Sequence, residues 1–315
     1  MFYKLNSLGE AVCERSVTLR ETGLSVALGC FDGVHVGHQA LIERAVAKKE
    51  CTAAVWTFSE PLSVPFIDNV SDRIAAFGRY GIRLAVCEDF DTVRTQSPTE
   101  FAEHLAVDLN VKHVVCGADF RYGKGRSGSA ETLKRDMEKH GVSVEVISPI
   151  MAYKLVDGVS ESEKISSTLI RRFLSEGEIE KANSLLGRPF SVTGNVTHGR
   201  QIGRTMDVPT VNQRMEKGRV VLKYGVYDTV TVIDGISYPS VTNFGMRPTV
   251  NDRETDVTCE THVIGESLDL YGKSVTVKFY RFAREERKFD SLESLKAEIE
   301  SDIKRAKDFF DTISK

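Results

Sequence analysis

Apolar and polar positions in the first half of the chain follow two alternating periods. Leu24–Leu28 is an apolar run with one interrupting serine, which suits a buried strand, and 39–49 carries Leu41, Ile42, Ala45 and Val46 at helical spacing. Thr52–Phe58 reads as a second buried strand, followed by a short helix containing Ile74 and Phe77 with Ser71 as its N-cap. Residues 82–86 form a further strand. Ser97-Pro98-Thr99-Glu100 combines a capping box with proline at the first helical position and starts the next helix. Residues 112–116 resume the sheet, 129–140 are helical with Gly141 placed to end them, and 142–147 are the next strand. This alternation predicts a parallel sheet with helices on both faces and a ligand site at the carboxyl ends of the strands.

Near Gly187 the pattern changes. From Phe190 onward the segments are short, rich in Val, Thr and Tyr, and separated by turn residues. Residues 226–233 lead through Asp234-Gly235 toward Tyr238, a type I′ hairpin signal. Residues 257–264 and 275–282 are further strands. Asp290 and Glu293 then open a final helix by capping box, with Leu292, Leu295, Ile299 and Ile303 on one face. The expected fold is an α/β domain over 1–184, then an antiparallel β-barrel with a C-terminal helix over 185–315.

Composition narrows the class of partner. The 315 residues, 41% hydrophobic and 28% charged, suit a soluble chain of about two domains with real cores. A net charge of −3 leaves no footprint for general nucleic-acid binding. Cys13, Cys30, Cys51, Cys87, Cys116 and Cys259 are scattered, with no CxxC pair, so reduced thiols in a cytoplasm are expected. The opening MFYKLNSLGEAV does not read as a signal peptide, and no run approaches the ~20 apolar residues of a membrane span.

The candidate chemistry is densest at the first strand-to-helix turn, from Gly29 to His38. Free backbone N–H groups and the helix dipole make such a turn an anion site, and Gly29, Gly33 and Gly37 allow close backbone approach. His35 and His38 beside it suit a polyphosphate whose charge rises during reaction. Three further stretches could converge there. The loop from Gly117 to Arg126 could hold phosphates through Lys124 and Arg126 and place a ring beside a base, or be a solvated basic loop. Ser166, Ser167 and Thr168 lie at a helix start with Arg171 one turn on, and could bind phosphate or simply cap the helix. Trp56 to Pro61 could line a pocket, with Trp56 itself better read as core. No serine or cysteine has a recognisable base neighbour, and no GxxxxGK[ST] loop is present. The favoured chemistry is direct displacement at phosphorus, with catalysis by positioning and charge stabilisation.

Taken in order, GCFDGVHVGHQ, VVCGADFRYGKGRSG and KISSTLIRR resemble the adenylyltransferase module of the bacterial bifunctional riboflavin kinase/FMN adenylyltransferases, the prokaryotic FAD synthetases. HGRQIGRTMDVPTVN, YGVY, TNFGMRPT, CETH and FAREERKFDS are similar to the riboflavin kinase module. The resemblance implies a Rossmann-like nucleotidyltransferase domain joined to a riboflavin kinase barrel. It implies phosphorylation of riboflavin to FMN, then adenylyl transfer from ATP to FMN, giving FAD and pyrophosphate, with Mg2+ accompanying ATP. His35 and His38 would contact the ATP phosphates. Gly29, Phe31, Asp32, Gly33, Gly37, Lys124 and Arg126 would help bind them, and Ser166, Ser167, Thr168 and Arg171 would hold the outgoing pyrophosphate. Phe58, Asp119 and Phe120 would seat flavin and nucleotide. In the kinase module Gly199, Arg200, Gly203 and Arg204 would bind ATP, Thr210 and Asn212 would hold the metal, and Arg284 and Phe289 would belong to a flavin-covering flap. Glu260 would be the base toward the ribityl hydroxyl. On a strand Glu260 shares a face with His262, free to point into a barrel mouth, although a solvent-facing edge position also fits. Asn212 could equally be an ordinary turn residue. The stretch Ser59-Glu60-Pro61-Leu62 lacks a histidine that the family carries after Phe58. That leaves two other readings open: a paralogue with a weakened adenylyltransferase, or a flavin-binding protein without catalysis.

Overall fold

The computed structural model describes residues 1–5, 11–14, 22–63, 65–156, 159–197, 209–248, 255–266 and 270–313. The chain divides into two compact units, Met1–Leu169 and Ile170–Lys315. In the first unit the elements run β1 (Phe2–Leu5), β2 (Ala11–Glu14), β3 (Leu24–Leu28), α1 (Val36–Ala47), β4 (Thr52–Phe58), α2 (Val70–Arg79) and β5 (Leu84–Glu88). They continue with α3 (Phe90–Val93), α4 (Pro98–Glu103), a π-helical turn at His104–Asp108, β6 (Val111–Gly117), and the two-residue strands β7 (Arg121–Tyr122) and β8 (Gly128–Ser129). Then come α5 (Ala130–Glu138), β9 (Ser143–Ile147), the hairpin β10 (Met151–Val156) and β11 (Val159–Lys164), and α6 (Ser167–Glu176), which begins in this unit.

The sheet order is β2-β1-β5-β4-β3-β6-β9, with β5, β4, β3, β6 and β9 parallel. The order reverses beside β3, the place where a doubly wound sheet opens a crevice for a ligand. β3 is buried at every position because helices cover both faces. Leu24, Val26 and Leu28 pack with Trp56, Phe101 and Leu133 on one side, and Ala27 packs with Ile42, Val55 and Phe77 on the other. The expected alternation is therefore present, with local differences. Asn69, not Ser71, caps α2, its side chain accepting from the Asp72 amide. Gly141 does end the α5 region, at φ +69°. The antiparallel β1–β2 pair and the β10–β11 hairpin were not expected; their strands are only four to six residues long and β2 is largely exposed, so the hydrophobic pattern is weak.

The second unit contains α7 (Ile179–Leu186), β12 (Phe190–Asn195), β13 (Val211–Arg214), β14 (Gly225–Ile233), β15 (Ile236–Pro248), β16 (Thr255–Val263), β17 (Ser274–Arg284) and α8 (Leu292–Ile313). Asn183 of α7 donates to the Phe279 carbonyl at 2.8 Å and accepts from the Phe190 amide at 2.7 Å, tying that helix to β17 and β12. The strands form one antiparallel sheet in the order β12-β17-β14-β15-β16-β13, and a bridge between Thr197 and Asn212 brings its ends together as a nearly closed barrel. Asp234 and Gly235, at φ +49° and +83°, make the expected type I′ turn between β14 and β15.

Inside the barrel, Tyr227, Phe244 and Phe279 pack edge to face. Beside them runs a ladder of buried hydroxyls, Thr229 to Thr242 and Thr242 to Thr261, each at 2.8 Å. Each hydroxyl finds a partner, so burial leaves none of these three groups orphaned. On the outer face α8 lays Ile303, Ala306 and Phe310 against Val226, Val230 and Val241. The reciprocal bonds that open α8 join Ser291 and Ser294 instead of Asp290 and Glu293, and Leu292 is exposed. Asp228, fully buried, binds Arg281 at 2.6 Å and Arg305 of α8 at 3.1 Å. Asp228→Ala would leave the partly buried Arg281 without its carboxylate and Arg305 with Asp302 alone, a loss on the order of 3 kcal/mol. A urea unfolding curve should show the fall; an unchanged midpoint would mean that the apolar face alone holds α8.

Candidate active site

The turn after β3 adopts a conformation that its side chains oppose. Phe31 and Val34 have φ of +54° and +41°, in the left-handed region, which for a β-branched residue is a true outlier. Such strain costs of order 1–3 kcal/mol per residue and persists only where the surroundings over-determine it. They do so here. Arg73, buried on α2, donates to the Cys30 carbonyl at 2.6 Å, to Thr57 Oγ1 at 3.2 Å and to the Phe58 carbonyl at 3.3 Å. Thr57 Oγ1 donates to the same Cys30 carbonyl at 3.1 Å. Asp32 Oδ1 accepts from the amides of Ile67 and Asp68, Ser167 Oγ donates to the Asp32 carbonyl, and Gln39 Nε2 donates to the Val34 carbonyl.

This turn delivers two imidazoles to the start of α1. His35 is the N-cap, its Nδ1 accepting from the His38 amide at 3.3 Å. The rings of His35 and His38 stack at 3.7 Å, and Phe31 meets His38 edge-on at 5.1 Å. A Cβ on Gly37 would stand 3.1 Å from two atoms of the His35 ring, so glycine here makes room for the imidazole as much as for a ligand. Burial pushes the His35 pKa down to about 4, with Lys164 adding to the shift. Burial, then His35, Arg73 and Lys164, hold His38 well below the ordinary value. Both are therefore neutral at physiological pH. Because its Nδ1 accepts, neutral His35 carries its proton on Nε2 and is a donor there.

The imidazoles line a cavity of about 1090 Å³ at the carboxyl ends of β3, β4 and β6. One wall is a chain of aromatic contacts at 5.0–5.7 Å, from Phe90 through Phe58, Trp56, Phe101 and Tyr122 to Phe120. Trp56 thus belongs both to the core and to the cavity. Among the described lining residues Arg94, Arg121, Lys124, Arg126 and Lys164 face a single carboxylate, Asp119. That balance favours anions. Burial alone would raise the Asp119 carboxyl, but the hydrogen bond and charge of Lys164 leave it below the usual range.

The structure gathers most residues singled out for this site. Gly29, His35, Gly37, His38, Phe58, Asp119, Phe120, Lys124, Arg126, Ser166, Ser167 and Thr168 line the cavity. Ser166 caps α6, its Oγ accepting from the Leu169 amide at 3.2 Å. Phe31, Asp32 and Gly33 lie outside the lining and shape the turn instead. Arg171 follows on α6, within the second unit. Arg73 and Lys164 were missed. An arginine among the apolar positions of an amphipathic helix was the available signal for the first, and a lysine two residues ahead of a hydroxyl run was the signal for the second.

In the second unit, register aligns a row of polar side chains. Asn212 of β13 pairs with Glu260 of β16, which pairs with Asn243 of β15, so their side chains share one face. Cys259, Thr261 and Val263 point into the barrel and are buried. Glu260 is therefore on the outer face with His262 and does not point into a barrel mouth, because period-2 alternation gives the interior to the odd-numbered positions. Asn243 donates to Glu286, in the connection from β17 to α8, at 2.9 Å. Arg284 is held by Asp302 at 2.7 Å and Glu298 at 3.0 Å, and Phe289 lies under the guanidinium of Arg287. Asn212 Oδ1 is buried without a partner, an orphan hard oxygen of the kind that suits Mg2+ or a group bound with it. Thr210 lines a small cavity with Val211, Thr261 and Glu266, and Asn212 is not among its described lining residues. Gly199, Arg200, Gly203 and Arg204 lie outside the described residues.

A parallel sheet with a cationic cavity at its switch point, continued by a barrel carrying a carboxylate–amide row, is the build of a nucleotidyl-transfer domain fused to a kinase domain. A family model described as FAD synthetase matches residues 18–169, and one described as riboflavin kinase matches 186–310. The chain belongs to the bifunctional riboflavin kinase/FMN adenylyltransferases, and it is an ATP-dependent transferase that phosphorylates riboflavin and adenylylates FMN. Relatives with that name include proteins of Listeria monocytogenes, 33% identical over 298 residues covering 90% of this chain and 92% of the relative. Another, from Pseudomonas fluorescens, is 35% identical over 298 residues with the same 90% and 92% coverage. A crystal structure of a protein described as a macrolide-efflux protein from Streptococcus pneumoniae superposes with a TM-score of 0.79 at 27% identity, over 92% of this chain and 95% of that one. Among the described residues of this chain no helix is long and apolar enough to cross a membrane.

The histidines give the unit opposed pH responses. His104 binds Glu88 at 2.7 Å and Asp108 at 2.8 Å, and the Glu88 bond leads in raising its pKa to about 9. Its folded pKa exceeds the unfolded one, so its contribution to stability is complete in mild acid and lost as pH rises through about 9. His35 is the reverse: its contribution is complete at neutral pH and lost as pH falls toward about 4. An NMR titration should show His104 charged and His35 neutral across the neutral range. Two ordinary histidine titrations would contradict the geometry.

Proposed function

We propose how the two steps divide over the residues, taking 1–184 as the adenylyltransferase domain and 185–315 as the kinase domain. The observation that carries the reading is that His35, His38, Lys124, Arg126 and the Ser166–Thr168 hydroxyls line one cationic cavity with an aromatic wall. Riboflavin is phosphorylated in the second unit. There Glu260 takes the proton of the ribityl hydroxyl as it attacks the γ-phosphorus of ATP. Thr210 and Asn212 would hold Mg2+, which supplies charge neutralisation on the phosphates, and the unpartnered Asn212 Oδ1 supports that assignment. Phe289, in the connection from β17 to α8, covers the flavin, while Arg284 fixes that connection to α8 through Asp302.

FMN then enters the first unit, where its phosphate attacks the α-phosphorus of ATP and pyrophosphate leaves. Neutral His35 and His38 serve as hydrogen-bond donors to oxygens gaining charge, since depressed pKa values remove them as acids. Phe58 and Phe120 offer faces to the isoalloxazine ring, and the α6 N-terminus with Thr168 receives the pyrophosphate. Riboflavin, FMN, FAD and ATP are thus the small-molecule partners, and the cytoplasm, with its reduced thiols and ATP, is the fitting compartment; all six cysteines are free. A paralogue with a weakened adenylyltransferase is not favoured, because the FAD synthetase match spans 18–169 and the cavity keeps its phosphate-facing residues.

Glu260→Gln should lower FMN formation by about 10²–10⁴-fold and leave FAD formation from supplied FMN intact. His38→Ala should lower FAD formation by about 10²–10³-fold and leave FMN formation intact. Chromatography of flavin products separates the two. Loss of both steps in either folded variant would refute the two-site assignment.

A further inference from the structure

The first-unit cavity holds a cation to which the reading above gives no role. Lys164 ends β11, separated by Ile165 from the hydroxyl run that opens α6, and its ammonium is hydrogen-bonded to the carboxylate of Asp119. Asp119 follows β6 and is the single carboxylate among the described residues lining the cavity. The side chains are 43% and 64% exposed, so the pair is screened by solvent and cheap to separate. Lys164 also lies near enough to the imidazoles to depress both. Its neighbours in sequence, Ser166 and Ser167, sit at the N-terminus of the ten-residue helix α6, where a phosphate is favoured by dipole and amide groups together.

We propose that Lys164 is a phosphate-binding residue of the adenylyl-transfer step that exchanges partners: it leaves Asp119 for the phosphates of ATP as the nucleotide enters. The inference rests on the adenylyl-transfer reading of this cavity. A bare carboxylate facing a triphosphate would repel it, and the pairing with Lys164 screens that charge beforehand. A triphosphate oxygen accepts a stronger charge-assisted bond than a half-exposed carboxylate, so the exchange runs toward the nucleotide. Lysine suits the task because its point charge rides on a flexible stem, whereas a guanidinium would favour a fixed bidentate partner. Asp119, once released, is free to accept from donor groups of the nucleotide.

The test is FAD formation from supplied FMN as a function of ATP concentration, for the wild type, Lys164→Met and Lys164→Arg. Riboflavin phosphorylation by the same preparations reports whether each variant is folded. Lys164→Met should lower kcat/KM for ATP about 10- to 100-fold while the KM for FMN stays near that of the wild type. Lys164→Arg, which keeps the charge, should recover most of that loss. ATP binding followed through Trp56, the chain's single tryptophan and part of the cavity wall, should weaken in parallel. Wild-type ATP dependence in Lys164→Met overturns the proposal, as does an equal rise in KM for ATP and FMN, which marks a general distortion of the cavity. A wild type that makes FMN but no FAD overturns the adenylyl-transfer reading itself, and that failure is recognisable because it precedes any variant.

Discussion

The first unit depends on one strained turn and on the buried arginine that holds it. Between β3 and α1 the chain passes twice through the left-handed region with side chains that disfavour it. A buried guanidinium, a threonine hydroxyl, a carboxylate accepting two amides and a serine from α6 fasten the turn. They come from α2, β4 and α6, so the geometry of the imidazoles is set by the whole unit. Arg73 is charged and buried, which is costly; three bonds from its Nη groups go to the turn and to β4 and offset part of that cost, while its Nε is buried without a partner. The same bonds that stabilise the unit therefore position its chemistry.

Much of the architecture was legible in the sequence because hydrophobic period is a local signal. β3 and β4 have the expected bounds, and the change to segments rich in Val, Thr and Tyr after Gly187 marks the barrel, although its strands β14 to β17 run to 9–13 residues and are not short. Caps were less secure: Asn69 won over Ser71, and Ser291 with Ser294 over Asp290 with Glu293, since neighbouring polar residues are nearly equivalent until the backbone chooses. The hydroxyl ladder of Thr229, Thr242 and Thr261 was not legible at all. Threonine on a strand is as common outside as inside, and only the barrel register brings these hydroxyls together.

The sites were legible to different depths. The HxGH turn and the hydroxyl run announce phosphate chemistry, but their convergence is tertiary, and so are the contributions of Arg73 and Lys164. Glu260 shows the limit of strand parity. Alternation correctly paired it with His262, yet parity cannot say which face is the interior; the burial of Cys259 and Thr261 decides that. Once Glu260 lies outside, the register sets it between Asn212 and Asn243, with Glu286 hydrogen-bonded to Asn243, and that row is the proposed second site.

The central claim is that two separate sites use different phosphorus atoms of ATP. It is tested most directly by incubating the protein with riboflavin and ATP labelled at either the α- or the γ-phosphorus, then separating the flavins. The γ label should enter FMN and persist in FAD, while the α label should enter FAD and never FMN. Absence of α label from FAD, with γ-labelled FMN accumulating, would contradict the account of the first unit.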